Sequence, residues 1–101
     1  MKLVIITSIK EFEKDIKSLL KKADVVTFSY RDVIGFRDST EDALESNWFA
    51  SEMNITESLM FYAFVPQKNV DLLFEAIMQF NAKQSTASHI HVAIVAIEKS
   101  N

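Results

Sequence analysis

The chain has 101 residues, no cysteine, one glycine and one proline, which leaves room for a single domain without disulfides, thiolate metal ligands, a cysteine nucleophile or glycine-rich repeats. Apolar residues make up 49% and charged residues 25%, an ordinary globular balance. The net charge of −3 and pI near 5.3, with no basic stripe, argue against nucleic acid as a partner.

Lys2 to Ile9 opens as a β-branched run and predicts a strand. Glu11 to Ala23 follows with helical period, placing Phe12, Ile16, Leu19, Leu20 and Ala23 on one stripe. Ser8 three residues before Glu11 fits a capping box, and Lys21 with Lys22 suits the negative end of the helix dipole. Val25 to Phe36 returns to alternation, with Val26, Phe28 and Tyr30 on one side. Gly35 near its end predicts a positive φ, a bulge or a close backbone approach.

The 21 residues from Arg37 to Glu57 break the pattern of regular elements. They carry six acids against one base, so the acidity of the chain is concentrated there. A segment this long between two strands is expected to bind something, and its sign favours a basic protein surface or a cation. Its candidate contact residues are Arg37, Asp38, Glu41, Asp42, Glu45, Trp48, Phe49 and Glu52. Aromatics ringed by carboxylates suit hot-spot anchoring, while Trp48 and Phe49 could equally pin the loop to its own subunit.

Ser58 to Val65 predicts a third strand, ended by Pro66. Gln67 to Lys83 predicts a second helix with Val70, Leu73, Phe74, Ile77, Met78 and Phe80 on its apolar side and Asn69 as a candidate cap. His89 to Glu98 predicts a fourth strand. The order β-α-β-β-α-β is that of an α+β, ferredoxin-like sandwich, one domain over residues 1–101 with a long loop between strands 2 and 3. Both helices then cover one sheet face, yet Met60, Tyr62 and Phe64 alternate with Leu59, Phe61 and Ala63, and Leu3 with Val4. Apolar side chains on the second face predict self-association through it.

No catalytic constellation stands out: there is no phosphate-cradling glycine loop, no nucleophile elbow and no histidine close to the loop serines. An enzyme is not expected. His89 and His91, two apart on a predicted strand, share a face and could hold one divalent metal with ligands from elsewhere, or simply cover the sheet near a subunit boundary. The first residues lack the long apolar run of a signal peptide, and no stretch has the apolar length of a membrane span, so a cytoplasmic protein that is not membrane-embedded is expected.

With the elements in this order the chain resembles the PII-like signal-transduction superfamily. The resemblance is carried by Val33-Ile34-Gly35-Phe36 leading into the long loop, by Phe64-Val65-Pro66 followed by Val70 to Ile77, and by His89-Ile90-His91-Val92. It implies a homotrimer with central sheets packed together, a T-loop at residues 37–57, and an effector cleft between subunits that includes Gly35, Phe36 and His89. It further implies a regulator whose T-loop engages a protein partner, a membrane transporter among the candidates. Nucleotide-binding members carry a glycine-rich segment before the last strand, where this chain has Asn81 to Ser88 without a glycine, and their phosphate-contacting lysine falls on His89. That departure argues against ATP as the effector. The loop also lacks the tyrosine that uridylylation needs. The chain looks closer to divergent members linked to cation transport, and CutA-type divalent-cation tolerance proteins share the fold, which keeps a metal at His89 and His91 as the alternative.

Overall fold

The computed structural model describes residues 1–36, 55–85 and 87–101. Strand β1 (Lys2–Ile9) leads through a 3-10 turn at Lys10–Phe12 into helix α1 (Glu13–Lys22); β2 (Ser29–Phe36) and β3 (Ile55–Val65) follow, then helix α2 (Gln67–Ala82) and β4 (His91–Ala96). The strands form one sheet in the order β2-β3-β1-β4, and every neighbouring pair is antiparallel. This is the predicted ferredoxin-like arrangement, with the first and third strands in the middle and β2 and β4 at the edges.

The alternation read from β1 and β3 sorts side chains as expected. Val4 and Ile6 of β1 and Leu59, Phe61, Ala63 and Val65 of β3 are buried beneath the helices. Ile16, Leu19 and Leu20 of α1 and Val70, Leu73 and Ile77 of α2 complete this core. Phe61 of β3 is fully buried in it and stacks on its cross-strand partner Tyr30 of β2, with ring centroids 4.8 Å apart. Phe12 meets Phe80 edge to face at 5.2 Å, tying α1's entry to the far end of α2.

Several boundaries differ from the sequence pattern. Val25 to Phe28 precede the strand rather than belong to it: Val25 is buried, whereas Val26 is 79% exposed. β3 starts at Ile55, so the last three residues of the expected insertion are paired, with Phe36 opposite Ile55 and Ile34 opposite Glu57. β4 starts at His91 rather than His89. Gly35 has no positive φ and pairs with Thr56 as a buried residue of a regular ladder, so it does not serve a left-handed turn.

Neither predicted helix cap is used. Ser8 lies inside β1, and its hydroxyl donates to the Ile9 carbonyl at 2.8 Å, while α1 is entered through the 3-10 turn with no side-chain cap. Asn69 lies in the first turn of α2 and sends its amide across to α1, donating Nδ2–H to the Ala23 carbonyl at 2.9 Å. It therefore tends the C-terminus of the other helix. That terminus is a Schellman motif: Val25 N–H donates to the Leu20 carbonyl and Asp24 N–H to the Lys21 carbonyl, with Asp24 at φ 62° where glycine is usual. Val25 and Leu20, the positions at which an apolar contact usually accompanies the motif, are both buried in the core cluster.

Candidate functional site

Three features of this scaffold bear on function: the uncovered sheet face, the two ends of the strands that flank residues 37–54, and a cleft beside β4. The register defines the first. Leu3 of β1 lies between Phe64 of β3 and Val95 of β4; Ile5 lies between Tyr62 and Ala93; Thr7 lies between Met60 and His91. Phe64 is 59% and Tyr62 40% exposed, with Val95 similarly open. The face therefore presents rows of apolar side chains to the outside, as the sequence predicts. Among its polar residues is Thr7, whose buried hydroxyl has no hydrogen-bond partner among the described residues.

The second feature brings β2 and β3 side by side where the long segment leaves and returns. Gly35 and Phe36 end β2, and Phe36 is 68% exposed beside Ile34 at 75%. Next to them Lys10, Arg31, Asp32, Ile34 and Glu57 line a shallow groove. Lys10 Nζ and Asp32 Oδ1 face each other there at 3.5 Å, both well exposed. Arg37, Asp38, Glu41, Asp42, Glu45, Trp48, Phe49 and Glu52, the expected contact residues, lie outside the described residues.

The third feature lies at the opposite edge. Phe74 and Met78 of α2 and His89, Ile90 and Val92 around the start of β4 line a cleft that also includes Asn81. Asn81 grips the chain there with both ends of its amide: Nδ2–H donates to the Ile90 carbonyl at 2.7 Å, and the Ile90 N–H donates to Oδ1 at 2.8 Å. One N–H donor and one carbonyl acceptor on the same residue fix which way the amide is turned. This residue was not singled out from the sequence. Its only sequence signal is an asparagine at the end of an amphipathic helix, which reads equally well as a helix terminator.

His89 and His91 both line this cleft, although only His91 belongs to the strand. His91 is half-buried, and burial, followed by the nearby charge of His89, lowers its pKa below the ordinary 6.5. No group of three metal-ligating side chains occurs among the described residues. Within one copy the expected effector residues do not meet, since Gly35 and Phe36 sit at the β2 edge and His89 beside β4.

This geometry is that of a PII-like fold. No protein-family model matches the chain, and no curated protein matches it in sequence. Among solved structures it is similar to CPII, a nitrogen regulatory PII-like protein from Thiomonas intermedia K12 bound to ADP, AMP and bicarbonate. That match has 17% identity and a TM-score of 0.62 over 99% of this chain and 94% of that one. It is also similar to a DUF3240 family protein from Shewanella baltica OS155, at 16% identity and a TM-score of 0.66, covering 99% of this chain and 92% of that one. No helix among the described residues is long and apolar enough to cross a membrane.

Proposed function

We propose that this chain is a PII-like regulatory protein rather than an enzyme, and that it works as a homotrimer in the cytoplasm. In this reading residues 37–57 act as its T-loop and engage a protein partner, a membrane transporter, in response to a small effector. The observation that carries the reading is the apolar sheet face. Each large side chain such as Phe64 or Tyr62 left in water forgoes roughly 1.5–3 kcal/mol of burial, and copies that turn these faces inward recover it. The fold shared with a nitrogen regulatory PII-like protein supports the regulatory part. Clefts between copies would then bring Gly35 and Phe36 of one subunit toward His89 of another, and the effector is proposed to bind there. CPII is bound to adenine nucleotides; the glycine-free segment before β4 speaks against the same phosphate cradle in this chain.

Light scattering tests the assembly, and a deletion of residues 40–52 tests the loop. The deletion is expected to keep mass and melting behaviour while abolishing capture of the proposed transporter partner from detergent-solubilised membranes. A deletion that dissociates the assembly would make the loop structural and refute the partner role.

A second reading is favoured by one observation, the placing of His89 and His91 along one cleft with His91 held toward its neutral, metal-ligating form. In that case the chain is a CutA-like divalent-metal binder that completes its ligand set from a neighbouring copy. Calorimetry with zinc, copper and nickel decides it: saturable heat that disappears in the His89→Ala/His91→Ala variant supports it, and none in the parent disposes of it.

A further inference from the structure

Helix α1 turns a row of lysines toward the edge strand β2. Lys14, Lys17 and Lys21 are spaced three and four residues apart on the helix, and Lys10 stands just before it, so the four follow one side. Two contacts fix which side that is. Lys17 Nζ donates to the Tyr30 hydroxyl of β2 at 2.9 Å and lies 4.4 Å from the centre of its ring. Lys10 Nζ faces Asp32 Oδ1 of β2 at 3.5 Å. The lysines therefore run alongside β2.

The surface between them is largely apolar. Tyr30 and Ile34 point to the helix-bearing side of the sheet, where Tyr30 stacks on Phe61, and both are exposed. Lys17 and Lys21 wall one end of this shallow trough over Val26 and Phe28, and Lys10 borders the other end beside Ile34. An apolar strip edged by lysines suits a segment that carries carboxylates and aromatic rings together.

We propose that this trough docks residues 38–49 of the same chain. Charge is the first argument for that occupant. From Asp38 to Asn54 the chain has five acids and no base, with Trp48 and Phe49 among them. Glu13 neutralises Lys17 at 2.9 Å, but Lys14 and Lys21 have no ion-pair partner among the described residues. Position is the second: the segment leaves β2 after Phe36, two residues beyond Ile34, at the end of the trough that Lys10 borders. Reach is the third. Tyr30 lies six residues down β2 from Phe36, about 20 Å away, and Trp48 stands seven residues before Ile55, which spans at most ~25 Å. The segment's own feet therefore bring its tryptophan to the level of Tyr30 and Lys17.

While docked, these carboxylates and Trp48 are withheld from any other basic surface, so the trough competes with a partner for the same side chains. Exposed charge pairs hold weakly, which leaves the contact easy to displace. The competition rests on the partner role proposed above for residues 37–57; the docking itself does not, and is measured with no partner present.

The chain has no cysteine and one tryptophan, so a bimane attached at Asp32→Cys, or separately at Ser18→Cys, reports contact with Trp48, which quenches it. At low ionic strength at least one labelled variant is expected to be dimmer than the same variant carrying Trp48→Phe. The loss of emission should disappear at about 1 M salt, where the Debye length falls to about 3 Å, and in Lys14→Glu/Lys21→Glu. Adding Glu41→Lys/Glu45→Lys to that variant should bring it back, with circular dichroism showing each variant folded. Equal emission with and without Trp48 at both positions overturns the docking, and dimming that survives salt and charge reversal overturns the lysine trough as its cause. Dimming of labelled Trp48→Phe chains on mixing with unlabelled parent chains overturns the same-chain assignment. If the charge-swap pattern holds while the deletion of residues 40–52 still captures the partner, the docking stands and the partner role falls.

Discussion

The clamp made by Asn81 gives the sharpest quantitative test of how the cleft is held. Replacing Asn81 with alanine removes two part-buried hydrogen bonds, at 2.7 and 2.8 Å, between the end of α2 and the residue preceding β4. A typical intramolecular hydrogen bond contributes about 1 kcal/mol net, and the half-open site lets water recover some of the loss, so Asn81→Ala should cost about 1–2 kcal/mol. For a chain of this length that is a fall in Tm of roughly 5–10 °C at fixed protein concentration. Asn81→Asp keeps the acceptor for the Ile90 N–H but points a carboxylate oxygen at the Ile90 carbonyl. It should therefore destabilise more than alanine at neutral pH, and the gap should narrow on acidification as the carboxyl regains a donor. Differential scanning calorimetry reads the loss, and hydrogen exchange localises it to the Ile90 amide. An alanine variant melting with the parent, its Ile90 amide exchanging at the parent rate, would refute the assignment of Asn81 as the clamp that holds the Ile90 backbone to the end of α2.

Other outcomes follow from single contacts. Phe64→Glu, a charge placed on the open sheet face, should dissociate the assembly without unfolding the subunit, read by light scattering beside circular dichroism; an unchanged mass means that this face is not the contact. Asp24→Gly should raise stability by about 0.5–1 kcal/mol, because glycine takes the left-handed conformation at φ 62° without steric cost, and chemical denaturation measures it. His91 has a folded pKa below its unfolded value, so the unfolded chain takes up the proton first. Stability contributed by the neutral ring is present above the usual 6.5 and declines as pH falls below it. His91→Gln should flatten that part of the Tm profile, and an equal slope in parent and variant would clear the residue of the effect. Lys10→Ala, which removes an exposed 3.5 Å pair with Asp32, should change stability by less than about 0.5 kcal/mol.

The architecture was legible because burial in β1 and β3 follows strict alternation, and alternation is written directly in the order of residues. Phe61 against Tyr62, and Val4 against Leu3, announce two different faces before any coordinates exist. Helix α1's stripe was readable for the same reason. The errors gather at polar residues whose partners are distant in sequence. Ser8 and Asn69 have the chemistry of N-caps, yet Ser8 is committed to the strand and Asn69 to a carbonyl 46 residues away. Asn81 escaped notice because its partner is across a turn, where no local pattern marks it. His89 and His91 were expected to share one face of a single strand; both line the cleft beside β4, but the strand begins only at His91. The acidic loop was conspicuous by length and charge, but a loop's ligand is fixed by the shape of a partner surface, which no periodicity in this chain encodes.

The pairing of Phe36 with Ile55 has a mechanical corollary. The residues that bracket 37–54 are ladder partners, so the two feet of that stretch of sequence stand about one strand spacing apart. Eighteen residues between such feet reach at most ~30 Å away from them. Under the proposed partner role, a pull at that distance would be delivered to the β2–β3 rung beside Gly35, giving the bound partner a handle on the seam between strands.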